Sequence, residues 1–368
     1  MKKILFIWPQ IDNDGGGEFA LVNLLHNLYP YHKIDVLCYE NIYKQVLPTG
    51  INVFFASQPS QNKIGKLINK FKLMYKLFQL VSKYDLLILN DVPFINIIVW
   101  FVTRITGSKY LIWAHSCRDE MEPTNKKLIH FIYKKSLICA ERIICVSNYA
   151  AKSMRNYLNS SLVNIDVVYN IIVRKMPINN DINLPNDTIK ICAVGRMAPE
   201  KNFALLIDAL NVIQKQANNQ FHLYLCGEGS ERSNLESQIK KYQLNEVVTL
   251  VGHTVYVMAY INQCNILVSS SNSEALPTVV YEGLLCNKSV IVTNTGAAEI
   301  VENGEYGIVV ERKSLKQMST ALLELIDNAE LRKQYEDKAH NALCKFKSDD
   351  IVKRWIEIIE KTTSANEK

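Results

Sequence analysis

Short apolar runs alternate with helical patterns along most of the 368 residues. The runs that predict strands are KILFIW, KIDVLCY, DLLILN, KYLIWA and RIICVS in the first half, and IKICAVG, FHLYLCG, VVTLVG, CNILVSS, SVIVTN and GIVV in the second. Strands that are separated by helices form parallel sheets with helices on both faces. The pattern therefore predicts an α/β protein.

The stretch RKMPINNDINLPNDT, with two prolines and a cluster of Asn and Asp, has the composition of a loop between domains. We therefore predict a first Rossmann-like domain over 1–175, a second over 186–345, and a C-terminal helix over 346–368 that packs back on the first domain. Two doubly wound domains are expected to face each other across a cleft at the carboxyl ends of their strands, where ligands of such sheets bind.

Composition narrows the class of protein. Hydrophobic residues make up 48% of the chain and charged residues 21%, which is ordinary for a globular protein. Residues 1–170 contain 20 basic and 12 acidic residues, and the remainder contains 22 and 24, so the excess positive charge lies in the first half and favours an anionic partner.

The nine cysteines form no C-x-x-C pair and are interpreted as buried, reduced thiols. No signal peptide is evident, and the longest apolar stretch is shorter than a membrane span.

Two glutamates flank a predicted helix start in NSEALPTVVYEG. A proline is tolerated in a first helical turn because the amide it lacks would have no partner there, so the helix is predicted to open near Leu276 or Pro277. Glu274 then precedes the helix, and Glu282 shares a helix face with Thr278 and looks toward the same opening. Carboxylates accept hydrogen bonds from hydroxyls and a helix N-terminus favours phosphate, so the stretch predicts a nucleotide-sugar site.

Other candidates of the second domain also follow strands. Arg196 and Lys201 lie five residues apart on the loop after IKICAVG, where both could reach one diphosphate; the alternative is a pair of surface cations. Gly227 is predicted to form a tight turn beside the nucleotide. His253 is placed to flank a base, with a structural role as the alternative.

In the first domain, Gly16 and Gly17 let the backbone approach a ligand closely at a helix start, although a glycine run also occurs in plain loops. The Rossmann spacing is not matched, which disfavours a dinucleotide cofactor. Asp12 and Asp14 could bind a divalent metal, but no further ligand set accompanies them, so a solvated loop is favoured. His115 ends the strand KYLIWA and is predicted to face the cleft.

A set of motifs occurs in order along the chain: Gly16-Gly17, His115, VSNYAAKSM, VYN, VGRMAPEKN, CGEGSERSNLE, VGHT, the two glutamates with seven residues between them, and SVIVTNTGAAEIVENGEYGIVV. This ordered set resembles the family-4 glycosyltransferases of the GT-B fold, in which two Rossmann-like domains face a cleft. The resemblance runs from about residue 4 to about residue 345. It implies retaining transfer from a nucleotide sugar, with neither a metal ion nor a cofactor.

The resemblance also implies roles for individual residues. Arg196 and Lys201 would neutralise the donor diphosphate, and Glu282 would accept hydrogen bonds from the ribose. Glu274 would stabilise the oxocarbenium-like charge on the donor sugar, and His115 would contact a sugar hydroxyl. The remaining positions implied in donor binding are Gly16, Gly17, Gly227, His253, Leu276, Pro277 and Thr278. The departing phosphate oxygen would receive the acceptor proton, so that catalysis depends on charge neutralisation and positioning.

One stretch departs from the commonest family pattern. Many members carry Gly-Phe-Gly or Gly-Phe-Pro after the first glutamate, whereas this chain has Ala275-Leu276-Pro277. The stretch LPTVVYEGL resembles the branch that builds bacterial surface polysaccharides and lipid-linked saccharides, often from UDP-sugars. The departure leaves the identity of the donor sugar open.

Residues 61–84, QNKIGKLINKFKLMYKLFQLVSKY, contain six lysines and no acidic residue, with apolar residues at roughly helical spacing. They predict a basic amphipathic helix that either packs its apolar face on the sheet or binds an anionic membrane surface. No recognised nucleic-acid motif accompanies the charge, so a nucleic-acid partner is not expected.

The sequence therefore predicts a retaining glycosyltransferase that moves a hexose or N-acetylhexosamine from a nucleotide sugar, in particular a UDP-sugar, to a polysaccharide or lipid-linked saccharide. Its predicted location is the cytoplasm, with peripheral binding to the inner face of the cell membrane. Two alternatives stay open: a catalytically silent GT-B subunit that binds a nucleotide sugar beside a partner enzyme, and a sugar-nucleotide epimerase. The intact set of Arg196, Lys201, Glu274 and Glu282 argues against the silent subunit.

Overall fold

The computed structural model describes residues 1–11, 16–42, 47–120, 127–160, 163–172, 182–185 and 187–364. The chain divides into two compact units: unit 1 comprises Met1–Val173 and Phe346–Lys368, and unit 2 comprises Arg174–Lys345. Each unit contains one parallel sheet, as the alternating pattern predicts. Most of the predicted interdomain loop lies outside the described residues.

The sheet of unit 1 has the order β3-β2-β1-β4-β5-β6-β7. Its strands are β1 Lys3–Trp8, β2 Lys33–Glu40, β3 Val53–Ser57, β4 Leu86–Asn90, β5 Tyr110–Ala114, β6 Arg142–Cys145 and β7 Ile165–Val167. The central strands are buried on both faces, which explains their continuous apolar runs. The two edge strands, β3 and β7, were not predicted because they are short and only partly buried.

The helices that connect these strands are α1 Gly16–Leu28, α2 Lys63–Leu80, α3 Pro93–Thr106, α4 Lys127–Ile138 and α5 Asn148–Leu158. Local sequence sets several of their ends. Pro93 occupies the first turn of α3, and Gly107 ends that helix with a left-handed φ of 72°. The Ser147 side chain caps α5 by accepting a hydrogen bond from the backbone N–H of Ala150 at 3.0 Å.

The sheet of unit 2 has the order β10-β9-β8-β11-β12-β13. Its strands are β8 Ile189–Val194, β9 Phe221–Cys226, β10 Val248–Gly252, β11 Ile266–Ser269, β12 Ser289–Thr293 and β13 Ile308–Val310. Its helices are α6 Phe203–Ile213, α7 Arg232–Lys241, α8 Val257–Gln263, α9 Thr278–Leu285, α10 Gly296–Ile300, α11 Leu315–Asp327 and α12 Ala329–Ala342. The buried core includes apolar residues of α6, α11 and the central strands.

The final helix, α13 Ser348–Ser364, belongs to unit 1. Trp355 is fully buried and its ring centroid lies 5.0 Å from that of Trp113 on β5. The Arg354 guanidinium pairs with Asp166 on β7 at 2.9 Å. An aromatic anchor and an ion pair therefore fix this helix on the sheet of unit 1.

The nine thiols are free. Six of them are buried, as predicted, and Cys286 is half-buried. Cys139 and Cys344 are exposed, so the prediction of burial is wrong for these two. Cys139 directly follows α4, and Cys344 lies in the short 3-10 helix Leu343–Phe346 after α12.

Candidate functional site

In the sheet of unit 2, the direction in which the chain adds successive strands reverses between β8 and β11. The chain moves from β8 to β9 and β10 on one side of the sheet, and from β11 to β12 and β13 on the other. The loops after β8 and β11 are therefore on neighbouring strands at the topological switch point, where ligands of open parallel sheets bind. The first loop carries Arg196 and Lys201, and the second carries Glu274.

The structure brings Lys201 and Glu274 together at this switch point. The Lys201 Nζ forms a short ion pair with Glu274 Oε1, and the Ser271 hydroxyl donates to the same carboxylate oxygen at 3.0 Å. The side chains of Lys201 and Glu274 are 22% and 15% exposed, so both charges are partly shielded and still reachable from solvent. A pair in this position is stronger than a surface pair and remains available to a ligand.

Hydrogen bonds tie the two loops to each other. The Asn272 backbone N–H donates to the Glu200 carbonyl at 2.7 Å, and the Ser270 hydroxyl donates to the Lys201 carbonyl at 2.9 Å. The Asn202 side-chain amide donates to the Asn272 side-chain oxygen at 3.2 Å. These bonds hold Lys201 and Glu274 in register before any ligand binds.

Arg196 has a different partner from Lys201. Its guanidinium pairs with Glu200 at 2.5 Å, within the same loop, and its side chain is 73% exposed. An exposed pair of this kind contributes little to stability and exchanges easily with water or another anion. The structure therefore places Arg196 on the same loop as Lys201, with an exposed side chain that can change partner.

Helix α9 begins at Thr278 with Pro277 as its N-cap, so the predicted start is correct within two residues. Leu276 is buried and Thr278 is half-buried. Glu282 is 2% exposed in the second turn of α9, which is deeper than predicted, since the sequence pattern placed it toward the same opening as Glu274. The close packing of α9 on β11 explains the depth: a Cβ on Gly283 would come within 2.5 Å of Leu267 Cδ2.

Gly227 lies where the strand ends of β8 and β9 meet. Its φ is 145°, and an added Cβ would come within 1.9 Å of the Gly195 carbonyl oxygen. This glycine is required by the contact between two backbones, a role that the sequence reasoning did not assign. His253 follows β10 and is exposed.

In unit 1, His115 follows β5, as predicted. Its ring packs against Trp113 and Trp8, with centroids 4.4 and 5.7 Å away. Nε2 is buried and has no hydrogen-bond partner in the part of the chain that the structure describes. Burial lowers the pKa of His115 to about 3, so the imidazole is neutral near pH 7.

Gly16 and Gly17 open helix α1, with Gly16 exposed and Gly17 half-buried. A Cβ on Gly17 would meet no atom of the described residues within 4 Å. Asp12 and Asp14 lie outside the described residues.

Unit 2 matches a known family. Residues 175–342 fit the model of the glycosyl transferases group 1. The whole chain is similar to the amylovoran biosynthesis glycosyltransferase AmsD of Erwinia amylovora, with 25% identity over 98% of this chain and 100% of that protein. It is also similar to the N-acetylgalactosamine-N,N'-diacetylbacillosaminyl-diphospho-undecaprenol 4-alpha-N-acetylgalactosaminyltransferase of Campylobacter jejuni, with 26% identity over 92% of this chain and 94% of that protein.

Among solved structures, the chain is similar to Anabaena Alr3699/HepE in complex with UDP, with a TM-score of 0.75 and 19% identity over 98% of this chain and 100% of that chain. The chain has the GT-B fold. This confirms the predicted fold class of two Rossmann-like α/β domains. The family match and the two relatives support a glycosyltransferase on this fold.

Sequence reasoning missed a buried polar network in the first unit of this GT-B chain. Asp91, the first residue after β4, accepts hydrogen bonds from Tyr133 at 2.6 Å and Asn96 at 2.9 Å, and its other oxygen pairs with Arg118 at 2.5 Å. The Asp91 side chain is 1% exposed. Burial, with the Asp91 charge, raises the pKa of Tyr133, so its phenol stays protonated as a donor. The network anchors the turn that follows His115.

The available signal for Asp91 was an acidic residue directly after the apolar strand DLLILN. Ser271 and Asn272 had a similar signal, because they follow β11, but a run of serines and asparagines has the composition of an ordinary loop. Asp91 contacts Arg118 and Tyr133, and Asn272 bonds to Glu200. These partners are distant in sequence, so the pattern alone does not reveal the contacts.

Within the described residues of the GT-B chain, no group of three or more His, Cys, Asp or Glu side chains has the geometry to hold a metal ion. None of the described helices combines the length and apolarity required to cross a membrane.

Proposed function

We propose that the chain is a retaining glycosyltransferase that transfers a hexose or N-acetylhexosamine from a UDP-sugar to a polysaccharide or lipid-linked saccharide. The observation that carries the proposal is the Lys201–Glu274 ion pair at the switch point of unit 2. A cation and a carboxylate are held there side by side, partly shielded, on two loops that are fixed by hydrogen bonds.

In the proposed reaction, Lys201 and Arg196 exchange their carboxylate partners for the donor diphosphate. When a sugar diphosphate binds, its oxygens replace Glu274 as the partner of the Lys201 ammonium. Arg196 leaves Glu200 and adds a second positive charge to the diphosphate. Negative charge grows on the diphosphate as the glycosidic bond breaks, so both cations stabilise the transition state more than the ground state. The Glu274 carboxylate is then free beside the sugar, where positive charge develops.

Two further residues take supporting roles. Glu282, buried in the second turn of α9, accepts hydrogen bonds from the ribose hydroxyls. His115 is neutral at physiological pH, so it exchanges hydrogen bonds with a sugar hydroxyl without adding a charge. The acceptor hydroxyl attacks the anomeric carbon on the face from which the diphosphate departs, so the configuration is retained. The bond between the anomeric carbon and the phosphate oxygen breaks as the bond to the acceptor oxygen forms, and the departing phosphate oxygen receives the acceptor proton. Neither a metal ion nor a cofactor takes part in the proposal.

The substrate classes come from the relatives. The Anabaena structure contains UDP, which supports a UDP-sugar donor. The Erwinia relative is named for amylovoran biosynthesis, and the Campylobacter relative for a diphospho-undecaprenol substrate. These names support an acceptor that is a polysaccharide or a lipid-linked saccharide. A lipid-linked acceptor places the enzyme at the inner face of the cell membrane, with residues 61–84 as the membrane contact.

Slow hydrolysis of UDP-, GDP- and ADP-sugars by the purified protein tests the proposal without knowledge of the acceptor. We expect hydrolysis of UDP-sugars with retained anomeric configuration, followed by NMR spectroscopy. Glu282→Ala is expected to raise the KM for the donor about tenfold or more, because buried ribose hydroxyls lose their acceptor. Glu330→Ala, an exposed substitution at the first turn of α12, is the control.

The outcomes separate the alternatives. Binding of UDP-sugars without any turnover, even with saccharide acceptors, would favour the silent subunit. Conversion of one UDP-sugar into its epimer in the absence of an acceptor would favour the epimerase.

A further inference from the structure

Helix α2 carries two apolar stripes on opposite sides. The first consists of Leu73, Leu77 and Leu80 with Asn69, and these residues are buried against the rest of unit 1. This stripe is sufficient to pack the helix. The second stripe is exposed to solvent and consists of Ile64, Leu67, Ile68, Phe71, Tyr75 and Phe78.

Helical geometry shows how narrow the exposed stripe is. At 3.6 residues per turn, its six members fall on one side of the helix, and the buried stripe falls on the opposite side. Four of the five lysines of α2 lie between the two stripes, Lys63 and Lys70 on one flank of the exposed stripe and Lys72 and Lys76 on the other. Tyr75, near the middle of this stripe, is 66% exposed.

The exposed surface continues onto two neighbouring helices. Helix α3 contacts both α2 and α4. Phe101 and Ile105 of α3 are exposed, and so are Leu128, Ile129 and Phe131 of α4, with Leu128 at 70%. Large exposed apolar residues are normal when they are scattered singly, but a contiguous group marks an interaction surface.

The charge on this surface has one sign. Helix α2 contains five lysines, α3 one arginine and α4 three lysines, and none of the three helices contains an acidic residue. Protein–protein interfaces are depleted in lysine relative to the rest of the protein surface, whereas eight lysines lie on these three helices. An apolar surface that is bordered by cations alone complements a bilayer with anionic headgroups, because the apolar side chains enter the acyl boundary and the lysines reach the phosphates.

We propose that α2, α3 and α4 together form a face that docks on an anionic phospholipid bilayer. The apolar side chains of this face insert into the bilayer, and its cationic side chains attract the anionic headgroups. This extends the contact beyond residues 61–84 to two further helices. The inference rests on the proposed membrane location and is independent of the donor chemistry, so donor hydrolysis without vesicles tests the transferase proposal separately.

Sedimentation of the full-length protein with vesicles tests the docking face. We expect binding to mixed phosphatidylcholine and phosphatidylglycerol vesicles, and much weaker binding to pure phosphatidylcholine. Lys63→Gln and Lys72→Gln in one variant remove one lysine from each flank and should lower the partition coefficient about tenfold or more at low salt. The double variant Phe71→Gln, Tyr75→Gln should lower it about tenfold or more, and this loss should persist at high salt because it comes from apolar burial.

A third variant isolates the new part of the inference. Ile105→Gln with Leu128→Gln changes only α3 and α4, and we expect about a tenfold loss of vesicle binding. Tyr31→Gln, another exposed aromatic residue of unit 1 that lies outside the three helices, is the matched control and should bind like the wild type. The changed side chains are exposed, so thermal unfolding should not shift.

Three results would overturn the inference. The wild type could fail to bind anionic vesicles, or the variant of α3 and α4 could bind as well as the wild type, which would restrict the contact to α2. The wild type could also form a dimer in solution that Phe71→Gln with Tyr75→Gln dissociates, in which case a second copy of the chain covers this face.

Discussion

Each unit has a topological switch point in its sheet, and each places a carboxylate in a loop beside it. The two carboxylates differ in how far solvent can reach them. In unit 1, Asp91 follows β4 and is enclosed by Arg118, Tyr133 and Asn96. In unit 2, Glu274 follows β11 and meets Lys201 in a pair that solvent can reach. Both sites join a carboxylate to a cation from a neighbouring loop, but only the second leaves the pair accessible.

The difference shows what burial does to a charge pair. A fully buried pair that has satisfied hydrogen bonds fixes the backbone around it, and its rupture leaves an uncompensated charge in a poorly solvated place. A partly exposed pair constrains the backbone less, and one of its members can exchange its partner for a ligand. We therefore propose a positioning role for the Asp91 network and a catalytic role for Lys201 and Glu274.

The largest expected effect is on stability, at the buried pair. Asp91→Ala should lower the free energy of unfolding by about 3–5 kcal/mol, because Arg118 is left buried without its partner. Chemical denaturation measures this loss. Asp166→Ala is the matched control in the same unit, since its partners Arg142 and Arg354 are more exposed, and about 1 kcal/mol is expected there. Equal losses in the two variants would contradict the special role of the Asp91 network.

The next effect is on turnover, at the accessible pair. Lys201→Ala should reduce transferase turnover about 10²–10³-fold, as expected for the loss of one group that stabilises transition-state charge. Its unfolding free energy should change little, because Ser271 still donates to Glu274. Lys333→Ala, which breaks the exposed pair with Asp337, is the control for loss of a lysine from unit 2. Full activity of the Lys201 variant would remove this residue from the mechanism.

Sequence alone predicted most of the architecture for a physical reason. Strands that are buried on both faces must be continuously apolar, so β1, β4, β5 and the central strands of unit 2 could be recognised directly. Edge strands pair on one side only and have no such requirement, so their recognition was uneven. The edge strands β10 and β13 were predicted from VVTLVG and GIVV, whereas β3 and β7 were missed.

The sequence predicted the location of a candidate residue where that location follows from its position at the end of a strand. Lys201 and Glu274 follow neighbouring strands, and the sequence places both at strand ends. The pairing of Arg196 with Glu200, the burial of Glu282 and the network at Asp91 depend on contacts and packing depth, which no local pattern encodes. For the same reason, the sequence showed one amphipathic helix at 61–84 but not the face that α2 shares with α3 and α4.

The smallest expected effect concerns pH and comes from the buried histidines of unit 1. Burial lowers the pKa of His115 to about 3, whereas an unfolded histidine titrates near 6.5. Burial also lowers the pKa of His32, in the same unit. The folded state therefore resists protonation that the unfolded state accepts, so stability is unaffected above about pH 6.5 and declines as the pH falls from there toward 3.

At pH 5 the loss from His115 alone is about 2 kcal/mol relative to pH 7. His115→Gln removes this titration, so the unfolding free energy of that variant should fall less between pH 7 and pH 5 than that of the wild type. His26→Gln is the control, because His26 is an exposed histidine of the same unit. If His115→Gln keeps the wild-type pH dependence, the imidazole of His115 is protonated in the folded protein as readily as in the unfolded chain. His115 would then not share the enclosed environment of the Asp91 network in unit 1.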